Sequence, residues 1–122
     1  MSLITRFEDI QAWQEARKLT RQIYHLTVAD PFNRDFGLRD QIQRASVSSL
    51  TNVAEGFDCE SKREFARFLG IARRSAVEVQ SLLYVAADLT YIDQSAFGQT
   101  YEQARKAKAL IGGLKHSLLP HT

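Results

Sequence analysis

Apolar residues recur every three or four positions along most of the chain, a spacing that predicts four long amphipathic helices. In the first, about Phe7 to Thr27, Ile10, Trp13, Ala16, Leu19, Ile23 and Leu26 share one face, while Arg17, Lys18 and Arg21 occupy the polar side. Thr5-Arg6-Phe7-Glu8 reads as a capping box, a hydroxyl and a carboxylate meeting backbone N–H groups that a helix start leaves unpaired. A turn from Ala29 to Arg34, holding Pro31, has the length expected between antiparallel helices. The second helix, about Asp35 to Phe57, carries a narrow stripe of Leu38, Ile42, Ala45, Ser49, Val53 and Gly56. Its small residues allow a neighbour to come close, and Gly56 is expected to end it in a left-handed cap. The third helix, about Lys62 to Tyr91, opens on a second capping box, Ser61-Lys62-Arg63-Glu64. Phe65, Phe68, Leu69, Ala72, Ala76, Val79, Leu83 and Ala86 form its broad apolar face, over a length of ~45 Å at ~1.5 Å per residue. The fourth, about Ser95 to Leu119, turns Phe97, Tyr101, Ala104, Ile111, Leu114 and Leu118 inward.

Short connections between long helices imply antiparallel neighbours, so the expected fold is an all-α, antiparallel up-down four-helix bundle. It is expected to span residues 1–122 as one domain, enough chain to bury a core without disulfides or metal. Apolar residues at 44% and charged residues at 25% argue against wholesale disorder. The single cysteine, Cys59, excludes an intrachain disulfide and fits a reducing compartment. The start, MSLITRFEDI, lacks the basic residues and apolar run of a signal peptide, and no apolar stretch approaches the ~18 residues of a membrane span. The expected location is the cytoplasm, with no membrane contact.

A net charge of +2 says little about partners, but the charges are unevenly placed. On the third helix Arg63, Arg67, Gly70 and Arg74 are spaced 4, 3 and 4. On the fourth, Arg105, Lys108, Gly112 and Lys115 are spaced 3, 4 and 3. At ~100° per residue each set falls on one stripe, with a glycine in the middle that leaves room for a bulky partner between cations. Arg and Lys so arranged suit phosphate contact, which releases counterions. The bland alternative is a solvated face, since the first stripe lies opposite its helix's apolar side. No aromatic interleaves with these cations, so phosphate and shape are expected to be read rather than bases.

Signals for catalysis are sparse. His25 stands alone, His116 and His121 do not share a helical face, and no zinc spacing or glycine-rich phosphate loop occurs. Glu55 and Glu78 are the only acids near inward-facing stripes, and the Glu-x-x-His motif of di-metal bundles is absent. Cys59 precedes a helix start, which lowers a thiol pKa, but an incidental turn thiol is the simpler reading. No catalytic residue, metal or cofactor is therefore assigned. Asn52 projects to the apolar side of the second helix and reads best as an interhelical polar link.

Phe7-Glu8-Asp9-Ile10 with Trp13 and Ala16, Gly37-Leu38 with Gln41-Ile42-Gln43-Arg44-Ala45, Asn52-Val53-Ala54-Glu55-Gly56, and Glu64-Phe65 with Phe68-Leu69 and Ile71-Ala72 occur in order. Together they resemble the four-helix-bundle proteins encoded in intervening sequences of bacterial 23S rRNA genes, over nearly the whole chain. The resemblance implies a bundle that assembles into a ring-like homopentamer, with no enzyme activity. It also implies kinship with accessory proteins of reverse transcriptases in retroelements, where a basic surface engages nucleic acid. It marks Arg44, Asn52, Glu55 and Gly56 as motif positions without making them binding residues. Family members often have Gly in place of Arg74 and an acid in place of Gln80, so both departures make the third helix more basic. Ser49-Leu50-Thr51 replaces a usual Ile-Pro-Ser run, which puts any kink of relatives in doubt here.

The functional expectation is a non-enzymatic, oligomeric nucleic-acid-binding protein, RNA ahead of DNA, using Arg63, Arg67, Arg74, Arg105, Lys108 and Lys115. The alternative is a protein-interaction scaffold for a partner enzyme, with Trp13, Phe32, Tyr84 and Tyr91 as anchors if exposed. A metal-dependent enzyme built on Glu55 and Glu78 is the third.

Overall fold

The computed structural model describes residues 3–120, and His121 lies outside them. Four helices carry the fold: α1 (Gln11–Thr27), α2 (Phe36–Phe57), α3 (Lys62–Asp88) and α4 (Gln94–Leu118). Short 3-10 turns at Phe7–Asp9 and Phe32–Arg34 precede α1 and α2. Each helix packs on the next and α4 returns to α1, so α1 and α3 sit on one diagonal and α2 and α4 on the other. Cross-helix contacts run antiparallel. Thr20 and Thr27 of α1 meet Ser46 and Gln43 of α2. Gln41 and Ser48 of α2 meet Glu78 and Ser75 of α3. Gly70 and Tyr84 of α3 lie by Lys115 and Tyr101 of α4.

The core has two halves. At the end holding the α1–α2 and α3–α4 loops, Leu19, Ile23, Phe32, Ile42, Val79, Leu83 and Ile92 interlock. At the other end Ile10, Val53, Leu69 and Ile111 do so. Between them lies a waist of buried Ala16, Ser46, Ser49, Ala76 and Ala107. Its hydroxyls are satisfied locally, Ser46 donating to the Gln43 carbonyl at 2.8 Å and Ser49 to that of Ser46 at 2.6 Å. Side chains this small hold the helices close with no orphaned donor.

The helix ends differ from the pattern-based expectation in instructive ways. The Thr5 capping box does not form. Ile10 is extended (φ −77°, ψ 121°) and separates the 3-10 turn from α1, which places its side chain in the core. The Gln14 amide, not Thr5, ties the entry by donating to the Glu8 carbonyl at 2.9 Å. The Ser61 box half forms: the hydroxyl accepts from the Glu64 N–H at 3.1 Å, but the Glu64 carboxylate turns to Arg67. Gly56 adopts no left-handed conformation and sits inside the last turn of α2. Its role is steric, because a Cβ there would lie 2.8 Å from Phe68 Cβ and 2.9 Å from Phe65 Cδ1. The left-handed residue is Thr90 (φ 59°), which ends α3 three residues before the expected Tyr91. Thr90 N–H bonds to the Ala87 carbonyl and Tyr91 N–H to that of Ala86, a Schellman closure made without glycine.

Two polar ties span the bundle. The Tyr91 hydroxyl donates to Asp35 at 2.9 Å and joins the two loops, while Asp35 also caps α2 through the Leu38 N–H. Glu15 is buried between α1 and α4, where it accepts from Gln103 at 3.0 Å and pairs with Lys18 and Lys106, each at 3.4 Å. The Gln103 hydrogen bond, then the two lysines, hold its carboxyl below the ordinary value against the opposing desolvation.

This packing sets three expected outcomes. Gly56→Ala forces α2 off α3 and lowers unfolding free energy by about 1–3 kcal/mol in urea titration. Thr90→Gly relieves the left-handed strain of a β-branched residue and raises it by about 1 kcal/mol. A carboxyl whose pKa is depressed by folding stabilises above its unfolded value and loses that contribution as pH falls through the folded one. Stability titrated from pH 7 to pH 3 should therefore fall less in Glu15→Gln than in the native chain.

Candidate nucleic-acid interface

The two basic stripes lie on adjacent antiparallel helices and merge into one face. Their glycines do not stand open for a ligand, as the sequence pattern suggested. Lys115 of α4 crosses Gly70 of α3, its Nζ 3.4 Å from where a Cβ would be. Arg73 of α3 crosses Gly112 of α4 in return, its Nε at 3.5 Å. At each glycine it is the polar end of the facing helix's cationic side chain, Lys115 Nζ or Arg73 Nε, that lies nearest, in ordinary van der Waals contact. The result is a shallow basic furrow between α3 and α4.

The six predicted cations divide in two. Arg67 and Arg105 are held on their own helices, Arg67 by Glu64 at 3.2 Å and Arg105 by both oxygens of Glu102 at 2.9 Å. Those bonds push both guanidinium pKa values up and both carboxyl values down. Arg67 also lies over the Phe68 ring, 4.7 Å from its centroid. Arg63, Arg74, Lys108 and Lys115 have no ion pair among the described residues. Arg73 joins this unpaired set, and single-helix spacing missed it because it falls off the stripe of α3. What could have found it is the reciprocal 73–112 and 70–115 pairing, visible only once α3 and α4 are aligned antiparallel. Of these five, Arg73 and Lys115 lie at the α3/α4 seam and Arg63 lines a hollow with Ser117 and Leu118 of α4.

The motif positions serve packing or stay at the surface. Asn52 bonds within α2, donating to the Ser48 carbonyl at 2.9 Å and to its hydroxyl at 3.0 Å; the polar contact between helices is made by Ser48 and Ser75 at 2.8 Å, so Asn52 is one step removed from the interhelical link expected of it. Gly56 is the close approach described above. Arg44 and Glu55 are both exposed and make no ion pair among the described residues. Glu55 and Glu78 are exposed, and among the described residues no group of three His, Cys, Asp or Glu is placed to hold a metal ion. Cys59 donates weakly to the Glu55 carbonyl at 3.5 Å. Gln80 is 7% exposed, so its departure from relatives changes the interior and not the basic surface. Of the four aromatic anchors, Phe32 is fully buried, Tyr91 is engaged with Asp35, Trp13 is half-buried against Phe7, and Tyr84 is exposed. No helix among the described residues is long and apolar enough to cross a membrane.

No curated protein matches the chain. Among solved structures it is similar to a protein of unknown function from the S23 ribosomal protein family of Bacteroides thetaiotaomicron VPI-5482. The two share 18% identity and superpose with a TM-score of 0.79, covering 86% of this chain and 95% of that one. That likeness is one of fold. The model of the 23S rRNA-intervening sequence proteins matches residues 8–113, and the chain belongs to that family.

Proposed function

We propose that the chain is a non-enzymatic nucleic-acid-binding protein, RNA ahead of DNA, whose α3/α4 furrow contacts phosphates. The single observation carrying this reading is that Arg73 and Lys115 reach across the α3/α4 seam, with Arg63 lining a hollow beside Ser117 and Leu118 of α4, and that none of the three is in an ion pair among the described residues. Unpaired cations keep their full attraction for a polyanion, whereas Arg67 and Arg105 would first have to leave a carboxylate. The ring of five implied by resemblance would repeat the furrow and raise avidity without any new contact.

The test is fluorescence anisotropy with a structured RNA and a duplex DNA at two salt concentrations. Affinity should fall steeply with salt. Arg73→Glu with Lys108→Glu should weaken binding at least about tenfold and flatten the salt slope by about one for each phosphate no longer neutralised, with helicity by circular dichroism intact. Unchanged affinity in that variant removes the furrow from the reading.

A second reading has its own observation. Across the bundle from the furrow, Arg17, Thr20, Tyr24, Val28 and Leu50 line a largely apolar groove between α1 and α2. Tyr24 is 42% and Val28 66% exposed, a surface suited to protein contact, whether a further subunit or the partner enzyme of the scaffold reading. Val28→Glu leaves mass by light scattering unchanged if this groove makes no subunit contact.

A further inference from the structure

The furrow runs toward an aromatic cluster that the sequence pattern kept apart from the cations. Lys108 and Tyr101 lie seven residues apart on the same flank of α4, ~10 Å along its axis. Tyr101 stacks on Phe97 (centroids 5.4 Å, 26° between planes). Tyr84 of α3 meets both rings steeply, Phe97 at 59° and Tyr101 at 74°. Tyr84 is therefore not sandwiched, and at 53% exposed it offers ring surface to solvent. Tyr84 and Phe97 also wall a hollow of about 630 Å³, completed by Asp88, Thr90, Asp93 and Gln94. Asp88 makes no ion pair among the described residues.

We infer that this hollow takes an unpaired nucleobase from a single strand whose phosphates follow the α3/α4 furrow, so that the site prefers single-stranded nucleic acid to duplex. The inference rests on the nucleic-acid reading of the furrow. Three features converge on a base. An exposed aromatic ring stacks on any base face. The hollow falls within the volume range of small-molecule sites. Asp88, and the oxygen of Asp93 that does not cap α4 through the Ala96 N–H, can accept hydrogen bonds from exocyclic amino groups while repelling a phosphate, so the negative charge at this end admits the base and leaves the backbone on the cations. A base held in a duplex stack cannot reach such a hollow without unstacking.

The experiment compares an oligo-adenylate strand carrying one 2-aminopurine with a blunt duplex of the same length, at one salt concentration. The native chain should bind the single strand more tightly and change its 2-aminopurine emission. Tyr84→Ala should lose about tenfold on the single strand and the emission change, and shift duplex affinity less than about twofold. Tyr84→Phe keeps the ring and should retain both properties, which separates stacking from loss of structure. Equal weakening of both probes by Tyr84→Ala, or none, overturns the base hollow. If Arg73→Glu with Lys108→Glu still abolishes binding of both probes in that case, the furrow stands without it. Failure of the native chain to bind either probe overturns furrow and hollow together.

Discussion

The arrangement of this bundle depends on how closely its helices approach at small residues. At the waist, Ala16, Ser46, Ser49, Ala76 and Ala107 are fully buried and leave no unpaired hydroxyl. Toward one end Gly56 sets α2 against Phe65 and Phe68, and Ser48 meets Ser75 across the same pair of helices. Larger side chains at these positions would push α3 outward, and everything α3 carries would move with it. Interiors packed to this density transmit such displacements because they cannot absorb them. The α3/α4 seam is looser: Gly70 and Gly112 meet only the ends of Lys115 and Arg73, at 3.4 and 3.5 Å from where a Cβ would lie.

That seam shows how a nearly neutral molecule presents a charged face. Pairing removes some cations from play: Arg67 with Glu64, Arg105 with Glu102, Lys106 with Glu15, Arg34 with Asp30. The cations left unpaired along α3 and α4 include the two that lie across glycines. Apart from the buried Glu15, these pairs are exposed and add little to stability, so their main consequence is to shape the surface potential. The loop end is the counterpart: Asp30 and Asp40 are paired with Arg34 and Arg39, but Asp35, Asp88 and Asp93 have no ion pair among the described residues. The formal +2 is thus a sum over separated regions of opposite sign.

The helices were legible in sequence because burial imposes a 3.6-residue period on every segment, and the bundle followed from the short connections between them. What the period could not reveal was anything decided between helices. Glu15 reads as one more polar residue on α1, and its partner Gln103 stands 88 positions away. Arg73 lies off its own helix's stripe and gains meaning only from Gly112 opposite. Gly56 was visible as special, but its conformational freedom and its lack of a side chain predict different roles, and only the nearby phenylalanines decide for the second. The capping boxes make the same point at short range. Ser61 caps because nothing competes for its helix start, whereas Thr5 loses to the burial of Ile10.

The candidate surface shows the same dependence on packing between helices. A cationic stripe on a single helix is indistinguishable from ordinary solvated surface, because a helix must put its charges somewhere. Antiparallel packing adds what one helix lacks: Lys115 of α4 and Arg73 of α3 each lie over a glycine of the facing helix. The reciprocal glycines therefore link the fold to the proposed chemistry. Over them lie Lys115 and Arg73, so two of the charges are placed by contacts between α3 and α4.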